Sequence, residues 1–217
     1  MPTPLPRPEG LIFDLDGTLA DTLEDLATAI NLTRRHYGIE PLDAPLVTAQ
    51  VGSGTEFLVR RTVPVAEAHF AEAHALFLTS YDAHVLDQTH LHNGVAEVLA
   101  HFSDRKLGVI TNKPARQTEK VLAGLGVRHC FAVVVGGDTL PEKKPHPLPV
   151  LHFLRTTGLS PDRVVMIGDG VNDIRAGKAA GVATVGVTFG VSTLDQMRAE
   201  APDHIIGRME ELLGLYL

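Results

Sequence analysis

The chain has 217 residues, long enough for one large domain or a core domain with an insertion, and long enough to bury about 70% of its unfolded surface. Its 26 acidic side chains against 19 basic ones give a net charge of −7, which argues against a general binder of nucleic acid or anionic membrane but leaves room for a local positive pocket. The single cysteine, Cys130, excludes an intramolecular disulfide and any cysteine-based metal cluster, and beside Phe131-Ala132-Val133 it reads as core packing.

Taken in chain order, the first ten residues hold four prolines and no apolar run of the signal-peptide kind. Nowhere are there about eighteen consecutive apolar residues, the length a membrane-spanning helix needs. The cytoplasm is the expected compartment. Leu11-Ile12-Phe13 then predicts a buried strand that breaks into Asp14-Leu15-Asp16-Gly17-Thr18-Leu19. In a parallel α/β sheet, that end of a strand is where ligands bind. Residues two apart on extended backbone face the same side, so Asp14 and Asp16 are expected to share one crevice. Two carboxylates held close need a cation, or one of them must hold a proton. One Asp as nucleophile and the other as proton donor suits phosphoryl transfer through an aspartyl-phosphate. A strand followed by an ordinary Asp-Gly turn fits the same letters.

From about Ala20 to Thr89 the pattern is helical, with no convincing strand. Leu23, Leu26, Ala27, Ile30 and Leu32 form one stripe, and Ala66–Leu86 is a second, Ala-rich stretch. This is too long for a crossover helix alone. Residues 20–89 therefore read as an inserted helical cap on a core made of residues 1–19 and 90–217. Within the insertion, Gly52-Ser53-Gly54-Thr55 can aim backbone N–H groups at an anion, or can simply join two helices. Arg34, Arg35, Arg60 and Arg61 are expected on solvated helix faces, although Arg60 or Arg61 could reach a substrate carboxylate. His36, His69, His74 and His84 are expected in solvent. His90 and His92 read as surface histidines of the linker rather than metal ligands.

Beyond the insertion, short apolar runs alternate with amphipathic ones. Leu107–Ile110, Ala132–Val135, Val164–Ile167 and Ala183–Val187 predict buried parallel strands. Val95–Phe102, Ala115–Leu125, Leu148–Thr157 and Asp173–Ala180 predict the helices, with Gly124, Gly126, Gly158 and Gly181 near their ends. The alternation predicts a doubly wound parallel sheet. Three more polar motifs accompany these strands. Thr111-Asn112-Lys113-Pro114 can hold phosphate oxygens, or cap a helix. Lys144, in Lys143-Lys144-Pro145-His146-Pro147, can project a fixed cation, or lie in a solvated basic turn. Asp169 and Asp173 in Gly168-Asp169-Gly170-Val171-Asn172-Asp173 suit a hard cation such as Mg²⁺, or an acidic first helical turn.

The order acid pair, hydroxyl-amide, lysine, acid pair resembles the haloacid dehalogenase superfamily of phosphotransferases, over essentially the whole chain. Asp14 to Leu19 with Asp21, Val51-Gly52-Ser53-Gly54, Val109 to Pro114, Gly136-Gly137-Asp138 and Lys143 to Pro147 are similar to the phosphoglycolate phosphatases of that superfamily. The resemblance implies Asp14 as nucleophile and Asp16 as acid and then base. It implies Thr111 and Asn112 as the phosphate-binding pair, and Lys144 as the lysine that neutralises nucleophile and phosphate. It implies a Mg²⁺ held by Asp14, the Asp16 carbonyl and Asp169, with Asp173 supporting the metal site. The helical insertion looks like the family's C1 cap, with Gly52, Ser53 and Gly54 as substrate-binding candidates. Two positions depart from the pattern: Gly170 stands where many relatives have Ser, and Asn93 where Pro is usual.

The implied activity is a Mg²⁺-dependent phosphatase of small phosphorylated metabolites, 2-phosphoglycolate foremost, in a monomer or homodimer. Other enzymes of this scaffold remain open: a sugar-phosphate or nucleotide phosphatase, a pyrophosphatase or a β-phosphoglucomutase. A dehalogenase does not need the acid at Asp16. From another class, a phospho-accepting signalling module needs only about 120 residues and no cap, and a catalytically dead binding protein would not keep every motif residue.

Overall fold

A computed structural model describes residues 7–216 of the chain; the first six residues of the segment 1–19, with the prolines at 2, 4 and 6, lie outside the described residues. The chain runs through β1 (Gly10–Phe13), β2 (Ala20–Asp21), α1 (Leu23–His36), α2 (Ala44–Thr48), α3 (Thr55–Thr62), α4 (Glu67–His84) and β3 (His90–Leu91). It continues through α5 (Val95–His101), β4 (Lys106–Ile110), α6 (Ala115–Gly124), β5 (Val133–Val135), α7 (Leu148–Thr157), β6 (Val164–Gly168) and α8 (Val171–Ala180). It ends with β7 (Ala183–Val187), α9 (Leu194–Ala199), β8 (His204–Ile206) and α10 (Leu212–Leu215).

Six strands form one parallel sheet in the order β5-β4-β1-β6-β7-β8. Each inner strand is a continuous apolar run because helices cover both faces of the sheet. The strand period of two sorts β1 between two cores: Leu11 and Phe13 join one, Ile12 the other. The first core continues into the helical segment through Leu26, Ile30, Phe77 and Tyr81. Ala73, Phe77 and Tyr81 recur every fourth residue on α4 and are fully buried, so this helix packs on α1 along one stripe. On α1 the expected stripe is buried at Leu26, Ala27 and Ile30, but only half-buried at its ends, Leu23 and Leu32.

The doubly wound parallel sheet agrees with the alternation in the sequence. Several details differ. A sixth strand, β8, extends the sheet beside β7. Ala20–Asp21, expected to be helical, pairs antiparallel with His90–Leu91, so the chain enters and leaves the helical segment through one two-stranded ribbon. Arg34 is buried rather than solvated, and its guanidinium donates to the carbonyls of Glu40 and Thr62. His74 is half-buried, not solvated, and hydrogen-bonds the Thr55 hydroxyl at 2.9 Å. Cys130 is half-buried and packs on the edge of the first core. Among the described residues, no helix is long and apolar enough to cross a membrane.

Candidate active site

The strand order reverses between β1 and β6, and β1 lies beside β4 on its other flank. The carboxyl ends of these three strands therefore open into one crevice, the place where doubly wound sheets bind ligands. After β1 the backbone folds into a tight turn. Leu19 and Ala20 N–H both donate to the Leu15 carbonyl at 3.0 Å, and Gly17 N–H donates to Ala20 O at 2.9 Å. Gly17 has φ +81°, and a Cβ there would strike the Asp169 carboxylate. Only glycine meets both demands.

Asp14 is buried, and Lys144 Nζ and the Leu15 N–H hold its Oδ1 at 2.8 and 2.7 Å. Lys144 also reaches Asp173 Oδ1, at 2.5 Å. Asp173 Oδ2 accepts from the Gly170 N–H at 2.9 Å, at the start of α8. Asp169 Oδ1 accepts from the Thr18 hydroxyl at 2.7 Å, and Asp169 Oδ2 from the Val191 N–H at 2.7 Å. Oxygens of Asp14, Asp169 and Asp173 all lie within 4.8 Å of one another.

The charges explain what this arrangement demands. Burial first, and then the neighbouring Asp14, push the carboxyls of Asp169 and Asp173 above the ordinary carboxylate range. Burial pulls the Lys144 amine down, but Asp14 and Asp173 outweigh it and hold the ammonium above the usual lysine range. Three buried carboxylates face one ammonium, so negative charge is left uncompensated in a place where charge is costly. A hard divalent cation with oxygen ligands fits that excess and that donor set.

Asp16 does not join the cluster through its side chain. Its Oδ1 accepts from the Thr22 hydroxyl and from Lys113 Nζ, both at 2.5 Å. Lys113 is buried, with its ammonium 4.7 Å from the Tyr81 ring centroid. Burial lowers the Lys113 amine, but Asp16 more than restores it. Thr111, after β4, is buried and accepts from the Lys113 N–H at 3.2 Å. The Asn112 amide nitrogen is occupied: its Nδ2 donates to Gly52 O at 2.9 Å and to Lys144 O at 2.8 Å, while its buried Oδ1 has no partner among the described residues. Asn172 adds a donor to the same Gly52 carbonyl at 3.1 Å and reaches Ser53 Oγ at 3.4 Å. Two strand-end loops thus grip the glycine turn of the helical segment. Between them lies a small cleft of about 30 Å³, lined by Asp14, Asp16, Gly54, Thr55, Thr111 and Lys113.

Arg60 and Arg61 point elsewhere. Arg60 pairs with Glu67 at 2.7 Å and lies over the Phe70 ring, and Arg61 donates to Gln50. His90 is exposed, while His92 is half-buried against Phe189. The structure also brings Thr18, Thr22, Lys113 and Asn172 to the site, residues with no role assigned from the sequence. Thr18, Lys113 and Asn172 lie inside the polar motifs that follow β1, β4 and β6, which is the signal the sequence offers for them. Nothing marked Thr22.

Against known proteins, a family model described as haloacid dehalogenase-like hydrolase matches residues 11–187. The chain belongs to that family and is an enzyme, a hydrolase. A phosphoglycolate phosphatase of Chromobacterium violaceum is 36% identical, over 94% of this chain and 96% of its own length. One from Neisseria meningitidis serogroup A is 37% identical, over 94% and 92%. Among solved structures, a predicted phosphoglycolate phosphatase from Haemophilus somnus 129pt superposes with a TM-score of 0.91 at 31% identity, covering 95% of this chain and 97% of that one. Within the family the chain is therefore phosphoglycolate phosphatase-like.

Proposed function

We propose that the protein is a Mg²⁺-dependent phosphatase that hydrolyses 2-phosphoglycolate to glycolate and phosphate through a phosphorylated Asp14. The observation that carries the reading is the buried cluster of Asp14, Asp169 and Asp173 around Lys144. In this reading residues 20–89 are a cap that closes over a core of residues 1–19 and 90–217, and the enzyme works in the cytoplasm.

Asp14, Asp169 and the Asp16 backbone carbonyl would hold the Mg²⁺, with Asp173 fixing Lys144 and the charge balance. Bound there, the ion would offset the phosphate charge and leave the phosphorus more open to attack. Both Asp14 hydrogen bonds fall on Oδ1, which leaves Oδ2 for the phosphorus. The Asp14 oxygen bonds to phosphorus as the bond to the glycolate oxygen breaks. Asp16, entering the step protonated on the Oδ2 that Thr22 and Lys113 leave free, gives that oxygen its proton. The Asp16 carboxylate then takes a proton from water, whose oxygen attacks the phosphorus and frees Asp14. Thr111 and the Asn112 backbone N–H hold the phosphate oxygens, since the Asn112 side-chain donor is already used. Lys144 cancels the repulsion between nucleophile and phosphate; one such pair of charges is worth about 4 kcal/mol at about 4 Å and an effective dielectric of about 20.

Substrate choice rests on the small cleft, on the Gly52–Thr55 turn beside it and on the names of the relatives. The test is kcat/KM by phosphate release for 2-phosphoglycolate, ethyl phosphate, sugar phosphates and pyrophosphate. A site with donors for a carboxylate leaves them unpaired on ethyl phosphate, which can cost a factor of about 10⁴. Equal values for phosphoglycolate and ethyl phosphate would remove phosphoglycolate as the substrate.

A further inference from the structure

Resting on the carboxylated substrate proposed above, we propose that Lys143, with the neighbouring Thr55, receives the substrate carboxylate and sets the preference for acidic phosphomonoesters. The cations around the cleft are accounted for one by one. Lys144 is bound to Asp14 and Asp173, Lys113 to Asp16, and Arg60 to Glu67. Arg34 serves two backbone carbonyls, and Arg61 serves Gln50. Lys143 has no acidic partner among the described residues.

Its position is specific. A Cβ built on Gly54 would lie 2.7 Å from Lys143 Nζ and 3.4 Å from the Asn112 carbonyl oxygen. The ammonium, the glycine turn and the turn after β4 therefore meet at one point, beside the cleft that Gly54 and Thr55 line. Gly54 has φ +95°, and its missing side chain is what admits the amine. In phosphoglycolate the carboxylate is attached to the carbon that bears the ester oxygen. An anion receptor must then lie close to the phosphate site, as this one does.

Thr55 supplies a second donor. Its Oγ1 lies 2.9 Å from His74 Nε2. The His74 ring stacks on Phe70 at 6.0 Å between centroids and 4° between planes, which fixes its orientation. Burial pulls the His74 pKa down, Glu56 opposes this, and Lys143 lowers it further. The neutral ring donates one N–H. In the tautomer protonated at Nε2, whose N–H donates to Thr55 Oγ1, the Thr55 hydroxyl hydrogen is free for a carboxylate oxygen.

The test measures kcat and KM for 2-phosphoglycolate and ethyl phosphate in the wild type, Lys143→Met, Lys143→Arg and Thr55→Val. Loss of one charge-assisted hydrogen bond predicts that Lys143→Met lowers the ratio of the two kcat/KM values roughly 10- to 100-fold, through KM for phosphoglycolate. Lys143→Arg should keep most of the ratio, and Thr55→Val should lose part of it. A Lys143→Met ratio equal to wild type, or equal losses on both substrates, would overturn the assignment of Lys143. A wild type that does not discriminate would overturn the substrate reading itself, a result told apart before any variant is made.

Discussion

Replacing Lys144 by Met tests the charge balance of the site without a large change of volume. Lys144 is 2% exposed and bonds two carboxylates, at 2.8 and 2.5 Å, so solvent does little to soften its loss. Removing one partner of a buried ion pair costs about 3–5 kcal/mol, because the other is left unpaired. In a domain of about 200 residues, each kcal/mol moves Tm by about 2–4 °C, so the metal-free variant should melt about 6–20 °C below metal-free wild type. In the proposed mechanism the same ammonium offsets repulsion of about 4 kcal/mol between Asp14 and phosphate, so turnover should fall about a thousandfold. Circular-dichroism melts with chelator, alongside phosphate release, read both effects. A Tm within about 2 °C of wild type would show that the three carboxylates do not depend on Lys144, and the reasoning would fail.

Asp14→Asn should abolish turnover while the melt stays cooperative; activity within about tenfold of wild type would sink its role as nucleophile. Chelation should stop phosphate release and Mg²⁺ restore it, whereas Ca²⁺, which accepts more and longer ligands, should not; full rescue by Ca²⁺ would contradict the proposed geometry. Asp169 and Asp173 are held above the ordinary carboxylate range, so the folded metal-free protein keeps protons that the unfolded chain gives up. Its stability should therefore fall as pH rises from the ordinary Asp value of about 3.9 through the raised folded values, and added Mg²⁺ should help most at alkaline pH. Chelated melts that do not fall between about pH 5.5 and 8.5 would count against the crowding of charge. Gly17→Ala should raise the Mg²⁺ concentration needed for half activity, since a Cβ there meets Asp169 and the φ is +81°; an unchanged Mg²⁺ requirement would show that the turn yields.

What could be read from the sequence was local. The apolar run Leu11–Phe13 ending in Asp14 and Asp16 needs only neighbouring letters, and so does Val164–Ile167 followed by Asp169 and Asp173. These runs predicted the doubly wound sheet that the structure has. The partners of Asp16 were not legible, because Lys113 is 97 residues away in sequence. The grip of Asn172 on Gly52 spans 120 residues. Arg34 sits in the polar run Thr33-Arg34-Arg35-His36 and looks solvated, yet its partners are carbonyls, which side-chain patterns never display. Strands as short as Ala20–Asp21 and His204–Ile206 hold too few residues to show a period of two.

The ribbon of Ala20–Asp21 against His90–Leu91 also bears on how such a chain can change over generations. Seen from the sheet, everything between these strands is a closed loop whose two ends already touch. Lengthening a loop with fixed ends costs only about 0.6 kcal/mol for each doubling of its length. Changes of length that keep the buried Leu26, Ile30, Phe77 and Tyr81 and the turn held by Asn112 and Asn172 would therefore put little strain on the strands around Asp14 and Asp169. Recombination at this junction would bring a new helical segment to the same strand ends, so under the function proposed above selectivity and chemistry can vary on separate schedules.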